Sequence, residues 1–350
     1  MKVISLVGAR PQFVKEAVIN WEFRKQGITE ILVHSGQHYD YNMSDIFFKS
    51  LDIKSPDYNL NVGSATHGQM TGRILEAFEA IVIKEKPDMV LVYGDTNTTL
   101  AGAIASVKLK VPIAHVEAGI RQKPKDMPEE INRVLTDRIS NFLFCPSMLS
   151  VKNLDCEGIK DGVEFVGDTM YDVYTKMEKL FDTSQALKEY GLEKNGFVLA
   201  TIHRDFNTDN PEKLSQIIDG LNRLSKEIKV LFPIHPRTKK LATTLGKKML
   251  FDVTDPIGYL QLQALVKASR LVVTDSGGLQ KESYYAGKRG VIVMPDTGWR
   301  ELTDCGWNIL SSPSQIYENT IKAINENRPY PKNIYGNGNA AEKITNAILK

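Results

Sequence analysis

Short β-branched runs alternating with helix-spaced segments, a length of 350 residues, and polar residues gathered where the apolar runs end together predict an α/β protein of two domains. A single hydrophobic core stops growing well below this length. The alternation points to parallel sheets with helices on their faces, and in such sheets ligands bind beyond the carboxyl ends of the strands. The composition, 42% hydrophobic and 25% charged, is that of an ordinary globular chain rather than a disordered one. A formal charge of +2 gives no bulk attraction to nucleic acid, so an anionic partner has to be held by local cations. Cys145, Cys156 and Cys305 are odd in number and form no Cys-x-x-Cys pair, which reads as reduced thiols rather than a disulfide framework or zinc site. Arg10 and Pro11 interrupt the first apolar run before a signal peptide's apolar region would be complete. No later run approaches the roughly 20 apolar residues of a spanning helix, so a cytoplasmic protein without membrane contact is expected.

Val3 to Val7 is a first strand that ends at Gly8-Ala9-Arg10-Pro11, and Gln12 to Gln26 has helical spacing. With one glycine in that turn, the three-glycine dinucleotide fingerprint is missing and a bound NAD is disfavoured. Arg10 or Lys15 alone reads as a solvated surface cation. Together beside a helix start, where amides and the helix dipole favour anions, an anion-binding role becomes an equal reading. Ile31 to His34 is a second strand leading into the polar loop Gln37-His38-Tyr39. Gly68 to Glu85 is a helix with Ile74, Phe78, Ile81 and Val82 at core spacing, and Met89 to Tyr93 is a strand with Asp95 beyond its end. Asp95 is either the cap of the helix that Thr96 to Thr99 can open or a catalytic carboxylate. Val111 to Val116 carries Glu117 out at its end, where capping explains little because glutamate is a poor N-cap. Pro128 starts a helix with Glu129 and Glu130 in its first turn and Ile131, Val134, Leu135 and Ile139 at core spacing. Glu129 lies one turn before Arg133 and beside Asn132, whereas Glu130 lies one turn before Val134, so Glu129 is the acid expected to face a site.

Phe142 to Pro146 and Val163 to Val166 are further strands, and the boundary is expected near Gly167, giving domains over 1–167 and 168–337 with a closing helix over 338–350 that packs back on the first. The second half repeats the pattern of the first. Phe197 to Ile202 ends in His203-Arg204, Val230 to Ile234 in His235-Pro236-Arg237, and Leu271 to Thr274 in Asp275-Ser276-Gly277-Gly278, which runs into a helix carrying Lys281 and Glu282. Ser276, Gly277 and Gly278 at a helix start form a phosphate cradle in principle, because small residues let a pyrophosphate reach bare amides. The same residues also make plain turns. With Arg10, Lys15 and His203 they amount to a clamp for a nucleoside diphosphate. His203 and His235 end strands beside arginine, which favours function over packing more than for His34, His38, His67 or His115.

With these residues assembled, the chain resembles the non-hydrolysing UDP-N-acetylglucosamine 2-epimerase family. The matching segments are Gly8-Ala-Arg-Pro11, Thr66-His-Gly-Gln-Met-Thr-Gly72, Val92-Tyr-Gly-Asp-Thr-Asn-Thr-Thr99, His115-Val-Glu-Ala-Gly119, Pro128-Glu-Glu-Ile-Asn-Arg133, Thr201-Ile-His-Arg204, and Asp275-Ser-Gly-Gly278 with Glu282. They cover almost the whole chain in order. The resemblance implies two Rossmann-like domains facing across a cleft, the GT-B arrangement, with the last helix returning to the first domain, and a homodimer that binds a UDP-sugar and UDP. It implies inversion at C2 of the sugar without NAD or any other cofactor, by eliminating UDP to a glycal and adding it back. Asp95, Glu117 and Glu129 match the family's catalytic acids and His203 its catalytic histidine. Arg10, Lys15, Ser276, Gly277, Gly278 and Glu282 match positions that hold phosphates, uridine and ribose, with Arg133 and His235 expected beside the substrate and no metal.

The chain departs from the family pattern at His203-Arg-Asp-Phe206-Asn207, at Met294-Pro295-Asp296-Thr297 and at Gln37-His-Tyr-Asp-Tyr41. Its Arg10-Pro-Gln-Phe13 and Gly68-Gln-Met-Thr71 segments are similar to the subfamily acting on UDP-2,3-diacetamido-2,3-dideoxyglucuronate, the alternative substrate. A GT-B glycosyltransferase and a nucleotide-sugar sensor without turnover are the remoter readings.

Overall fold

The structure, a computed structural model, describes residues 1–36 and 53–350. The segment Gln37-His38-Tyr39-Asp40-Tyr41 lies outside the described residues. The chain forms two compact units, Met1–Lys176 with Asn333–Lys350, and Met177–Lys332.

In the first unit the elements are β1 (Lys2–Val7), α1 (Arg10–Gln26), β2 (Thr29–His34), β3 (Tyr58–Asn59), α2 (His67–Glu85), β4 (Met89–Tyr93), α3 (Asn97–Lys108), β5 (Ile113–Val116), α4 (Pro128–Ile139), β6 (Phe142–Cys145), α5 (Met148–Cys156), β7 (Val163–Phe165) and α6 (Thr169–Met177). The strands form one parallel sheet in the order β3-β2-β1-β4-β5-β6-β7. Ile4 of β1 lies between Ile31 of β2 and Val90 of β4. Val3, Ile4, Leu6 and Val7 are all buried, as are Met89 to Tyr93. That is why these strands read as continuous apolar runs rather than alternating ones: helices cover both sheet faces. Helix α2 closes one face with Ile74, Phe78, Ile81 and Val82, all buried as their spacing predicted. Deleting a side chain such as Phe78 would cost about 3–5 kcal/mol, by lost burial and the cavity left behind.

The second unit holds α7 (Thr183–Glu189), β8 (Phe197–Thr201), α8 (Asp205–Thr208), α9 (Pro211–Leu224), β9 (Lys229–Pro233), α10 (Pro236–Thr244), β10 (Asp252–Thr254), α11 (Tyr259–Ala268), β11 (Leu271–Thr274), α12 (Gly277–Tyr285), β12 (Gly290–Ile292), α13 (Arg300–Asp304), β13 (Ile309–Leu310) and α14 (Ile316–Asn325). Its parallel sheet has the order β10-β9-β8-β11-β12-β13. Val198, Ala200, Phe232 and Val273 from the strands pack with Leu214, Ile217, Ile218 and Leu221 of α9. Both units are therefore Rossmann-like. In each, the strand order reverses beside the first strand, between β1 and β4 and between β8 and β11. Such a reversal opens a crevice at the strand ends, because the helices on either side leave in opposite directions.

The first passage between units falls after α6 rather than at Gly167. Helix α6 is tied to the first unit: the Lys176 ammonium lies 4.5 Å from the centre of the Trp21 ring on α1. Asp172 accepts hydrogen bonds from the amides of Ala340 (3.0 Å) and Ala341 (2.8 Å). Those two amides open α15 (Ala340–Ile348), whose own N-cap residue Asn339 makes no side-chain cap. An acid from α6 thus supplies the cap that α15 lacks, and the closing helix belongs to the first unit.

Helix α4 corrects the sequence reading. Ile131 and Leu135, expected in the core, are 45% and 47% exposed, while Glu130, Asn132, Arg133, Thr136 and Asp137 are buried. The helix turns its polar face inward because that face carries the hydrogen bonds of the strand ends β4 and β5.

Candidate active site

At the reversal point of the first unit, β1 and β4 deliver two turns side by side. The β1 turn, Gly8-Ala9, enters α1, whose first residue is Arg10; the Arg10 side chain lies outside what the structure describes. The β4 turn is Gly94-Asp95. Gly94 has φ 64°, a left-handed conformation open to glycine at little cost. Thr96, not Asp95, caps α3: its hydroxyl accepts from the Thr99 amide at 3.3 Å. Capping therefore does not account for Asp95. Its carboxylate instead pairs with Arg133 of α4.

Glu117 follows β5, the strand beside β4. It adopts φ 74° although it carries a side chain, a strained conformation that costs on the order of 1–3 kcal/mol and clusters at functional sites. Its carboxylate pairs with Lys15 of α1, both being buried. A Cβ placed on Gly94 would lie 3.4 Å from Glu117 Oε2, so the Asp95 turn and the Glu117 carboxylate are neighbours. Arg133 is nearly enclosed. Burial works against its charge, but Asp95 and Glu130 outweigh it and hold the guanidinium above its usual range. Two carboxylates on adjacent strand ends, each opposed by a buried cation, form a preorganised field of fixed charge.

The structure separates the two acids of α4 differently from the sequence reading. Glu130 is the one that faces Arg133, at 2.6 Å, and it also accepts from the Gln122 amide at 2.9 Å. Residues three apart on a helix are neighbours just as residues four apart are, which the earlier facing argument left out. Glu129 is exposed and makes no hydrogen bond or ion pair among the described residues. Among the described residues, it is the carboxylate of this group that no cation engages.

Behind these turns lies a buried polar layer. Gln12 accepts from the amides of Gly8 (2.7 Å) and Ala9 (2.9 Å) and donates to the carbonyl of Tyr93 (2.6 Å). His115 contacts Asp137 through Nδ1 and the Gly94 carbonyl through Nε2, both at 2.7 Å. Asp137 also accepts from the Gly119 amide (3.1 Å) and from Arg121 (2.7 Å). Burial would raise its pKa, but His115 and Arg121 outweigh that and keep it below the usual carboxylate range. Asn132 donates to the carbonyl of Asp95 at 3.0 Å.

In the second unit the reversal point lies between β8 and β11. Asp275 is fully buried and accepts from the amides of His203 (3.0 Å) and Arg204 (3.0 Å) and from the Asn207 side chain (3.0 Å). One acid therefore shapes the whole turn that presents His203, whose side chain is 45% exposed and whose Nδ1 is 3.4 Å from Asp275. Ser276 caps α12, accepting from the Leu279 amide at 3.4 Å. Added Cβ atoms on Gly277 or Gly278 would meet nothing nearer than 3.7 Å, so packing within the unit does not demand glycine there. Bare backbone there leaves the start of α12 open to a group approaching from outside. His203, His235, Ser276 and Glu282 line one cavity of about 220 Å³, walled on its apolar side by Pro256, Ile257 and Leu262. His235 caps α10, accepting from the Arg237 amide at 3.3 Å, and Glu282 accepts from Gln263 at 2.7 Å. An apolar slot beside a carboxylate suits a flat heterocycle with neighbouring hydroxyls, and an open helix N-terminus suits phosphate. Among the described residues, no group of three or more His, Cys, Asp or Glu is arranged to hold a metal ion.

The first unit thus brings together Lys15, Asp95, Glu117 and Arg133, and the second brings together His203, His235, Ser276 and Glu282 with Gly277 and Gly278 alongside. Sequence reasoning passed over Gln12, Asn132 and Asp275 and gave His115 little weight. Each of them holds at least one backbone group, and such contacts leave no mark on the sequence. Only the strand-end positions of His115 and Asp275 hinted at them.

The family model of UDP-N-acetylglucosamine 2-epimerase matches residues 22–349. A UDP-2,3-diacetamido-2,3-dideoxy-D-glucuronate 2-epimerase of Pseudomonas aeruginosa is 45% identical, the match spanning 100% of both chains. A UDP-N-acetylglucosamine 2-epimerase of Methanococcus maripaludis is 41% identical over 99% of this chain and 98% of its own. Among solved structures, the Methanocaldococcus jannaschii UDP-GlcNAc 2-epimerase in complex with UDP-GlcNAc and UDP superposes with a TM-score of 0.87 at 36% identity, covering 100% of this chain and 99% of that one.

Proposed function

The chain belongs to the UDP-N-acetylglucosamine 2-epimerase family, and from that premise we propose that it interconverts UDP-N-acetylglucosamine and UDP-N-acetylmannosamine for polysaccharide precursors. It is an isomerase, a UDP-sugar 2-epimerase. The observation that carries the reading is the pair Asp95 and Glu117 on adjacent strand ends, each set against a buried cation.

The C2 proton has no carbonyl beside it to acidify it. The C1–O bond to UDP therefore breaks as the proton at C2 leaves to a carboxylate, giving UDP and a glycal. Re-addition of UDP at C1, with a proton delivered to the other face of C2, completes the inversion. The sequence of steps is redox-neutral and needs no nicotinamide. Fixed carboxylates offset the cationic character that develops at C1. Asp95, Glu117 and Glu129 are the acids we assign to these tasks, with Lys15, Arg133 and Arg10 as cations of the same unit. In the second unit we assign His203 to the diphosphate, Ser276, Gly277 and Gly278 to the phosphates, and Glu282 with His235 to the nucleoside. Among the described residues no helix is long and apolar enough to cross a membrane; we assign the enzyme to the cytoplasm, which the three free cysteines support. We further assign a homodimer, supported by the family resemblance and by the exposed Ile131 and Leu135 one turn apart on α4. A monomer by light scattering would contradict that part.

A second reading, the epimerase of UDP-2,3-diacetamido-2,3-dideoxyglucuronate, is favoured by the full-length 45% identity to the Pseudomonas relative. Offering both UDP-sugars to the pure protein and following C2 configuration by NMR decides between them. We expect the mannose-configured product from UDP-N-acetylglucosamine; turnover of the diacetamido sugar alone would establish the second reading, and turnover of neither would remove both.

A further inference from the structure

Three successive carbonyls of the β4 turn are each held by a different buried side chain from a different element. Tyr93 O accepts from Gln12 of α1 and also from the Thr99 hydroxyl of α3, both at 2.6 Å, Gly94 O from His115 of β5 at 2.7 Å, and Asp95 O from Asn132 of α4 at 3.0 Å. A turn with a left-handed glycine ordinarily shows such carbonyls to water and shifts easily. Here it is clasped at every peptide. The clasps are anchored in turn: Gln12 spends its oxygen on the Gly8 and Ala9 amides, and His115 is fastened by Asp137. Both partners of His115 are acceptors, a carboxylate facing Nδ1 and a carbonyl facing Nε2.

We infer that Gln12, His115 and Asn132 are positioning residues that fix the Asp95 carboxylate for the reaction by holding the three peptides on which it stands. The inference rests on the reading of Asp95 as a reacting acid. Each of the three donors reaches Asp95 only through the main chain. A displacement of about 1 Å at a reacting group can cost about 10²-fold in rate, so loss of one clasp should appear in kcat rather than in KM.

His115 offers a test that separates positioning from simple packing. Glutamine places a side-chain N–H near the position of histidine Nε2, whereas asparagine places one near Nδ1. His115→Gln keeps the clasp on Gly94 and gives up Asp137; His115→Asn keeps Asp137 and gives up the clasp. The positioning role predicts that His115→Asn loses about 10²-fold in kcat with KM and UDP affinity within a few-fold, and that His115→Gln stays within a few-fold of the unsubstituted enzyme. Gln12→Glu, which faces the Tyr93 carbonyl with an acceptor while the Thr99 hydroxyl still donates to it, should lose kcat in the same direction as His115→Asn but by less. If the loss instead follows Asp137, with His115→Gln the impaired variant, or if neither variant loses kcat, the inference is overturned. Amide hydrogen exchange across residues 94–97 supplies a readout independent of turnover. Faster exchange there in His115→Asn but not in His115→Gln supports the clasp, and equal exchange in both contradicts it. Should the unsubstituted enzyme turn over neither UDP-sugar, the functional reading fails while the exchange comparison still decides the clasp.

Discussion

At the scale of single residues, small choices separate groups that bind from groups that hold. Thr96 takes the capping role that its neighbour Asp95 would otherwise serve, and so leaves Asp95 to Arg133. Gly8 and Gly277 both lie beside helix starts yet meet opposite surroundings. A Cβ on Gly8 would strike Thr98 Oγ1 at 2.2 Å, whereas one on Gly277 would find Trp299 Nε1 at 3.7 Å, an ordinary contact. Gly277→Ala should therefore leave stability within about 0.5 kcal/mol while weakening UDP binding about tenfold or more, about 1.4 kcal/mol. Calorimetric titration with UDP beside a denaturation curve checks it. Unchanged UDP affinity would return Gly277 to a plain turn residue.

At the scale of elements, α4 and α15 carry the lessons that the sequence hid. Helix spacing places Ile131, Val134, Leu135 and Ile139 inward, and Ile139 does pack against the core, but for Ile131 and Leu135 the assumption is wrong. The assumption fails because Asp137, Arg133, Asn132 and Glu130 have partners that outweigh the burial of Ile131 and Leu135. A buried charge with its partners in place is stable, and one without them is very costly. Helix α15 shows a borrowed cap from Asp172, far away in the chain. Burial raises the Asp172 pKa to about 6, against about 3.9 for a free aspartate, despite the two amides that favour its charged form. Folding therefore takes up a proton between those values. The stability this group contributes is complete below about pH 4 and is lost as pH rises through about 6. Asp172→Asn should abolish that slope, so that the denaturant midpoint of the unsubstituted protein falls across this window relative to the variant's. Parallel midpoints for the two would contradict a raised pKa.

At the scale of the whole molecule, two sheets with the same reversal of strand order explain why so much of the site could be read in advance. Strand ends beside a reversal open onto a crevice, so Asp95, Glu117, His203 and Ser276 stood out by position and polarity. The residues behind them act through backbone groups. Gln12, Asn132 and Asp275 hold carbonyls and amides whose identity no side-chain pattern records, and adjacent Glu129 and Glu130 end up one exposed and one buried against Arg133. The near-neutral charge of the chain fits the proposed substrate, since an anionic nucleotide would have to be held by local groups rather than an overall field. The central claim is that a UDP-sugar is inverted at C2 by removal and return of the proton there. It is tested most directly by running the reaction in D2O with UDP-N-acetylglucosamine and with its diacetamido-glucuronate counterpart and reading the sugar ring by NMR. The account predicts deuterium at C2 of the epimerised sugar and at no other ring position. An epimer that retains protium at C2, or no epimer from either sugar, would contradict it.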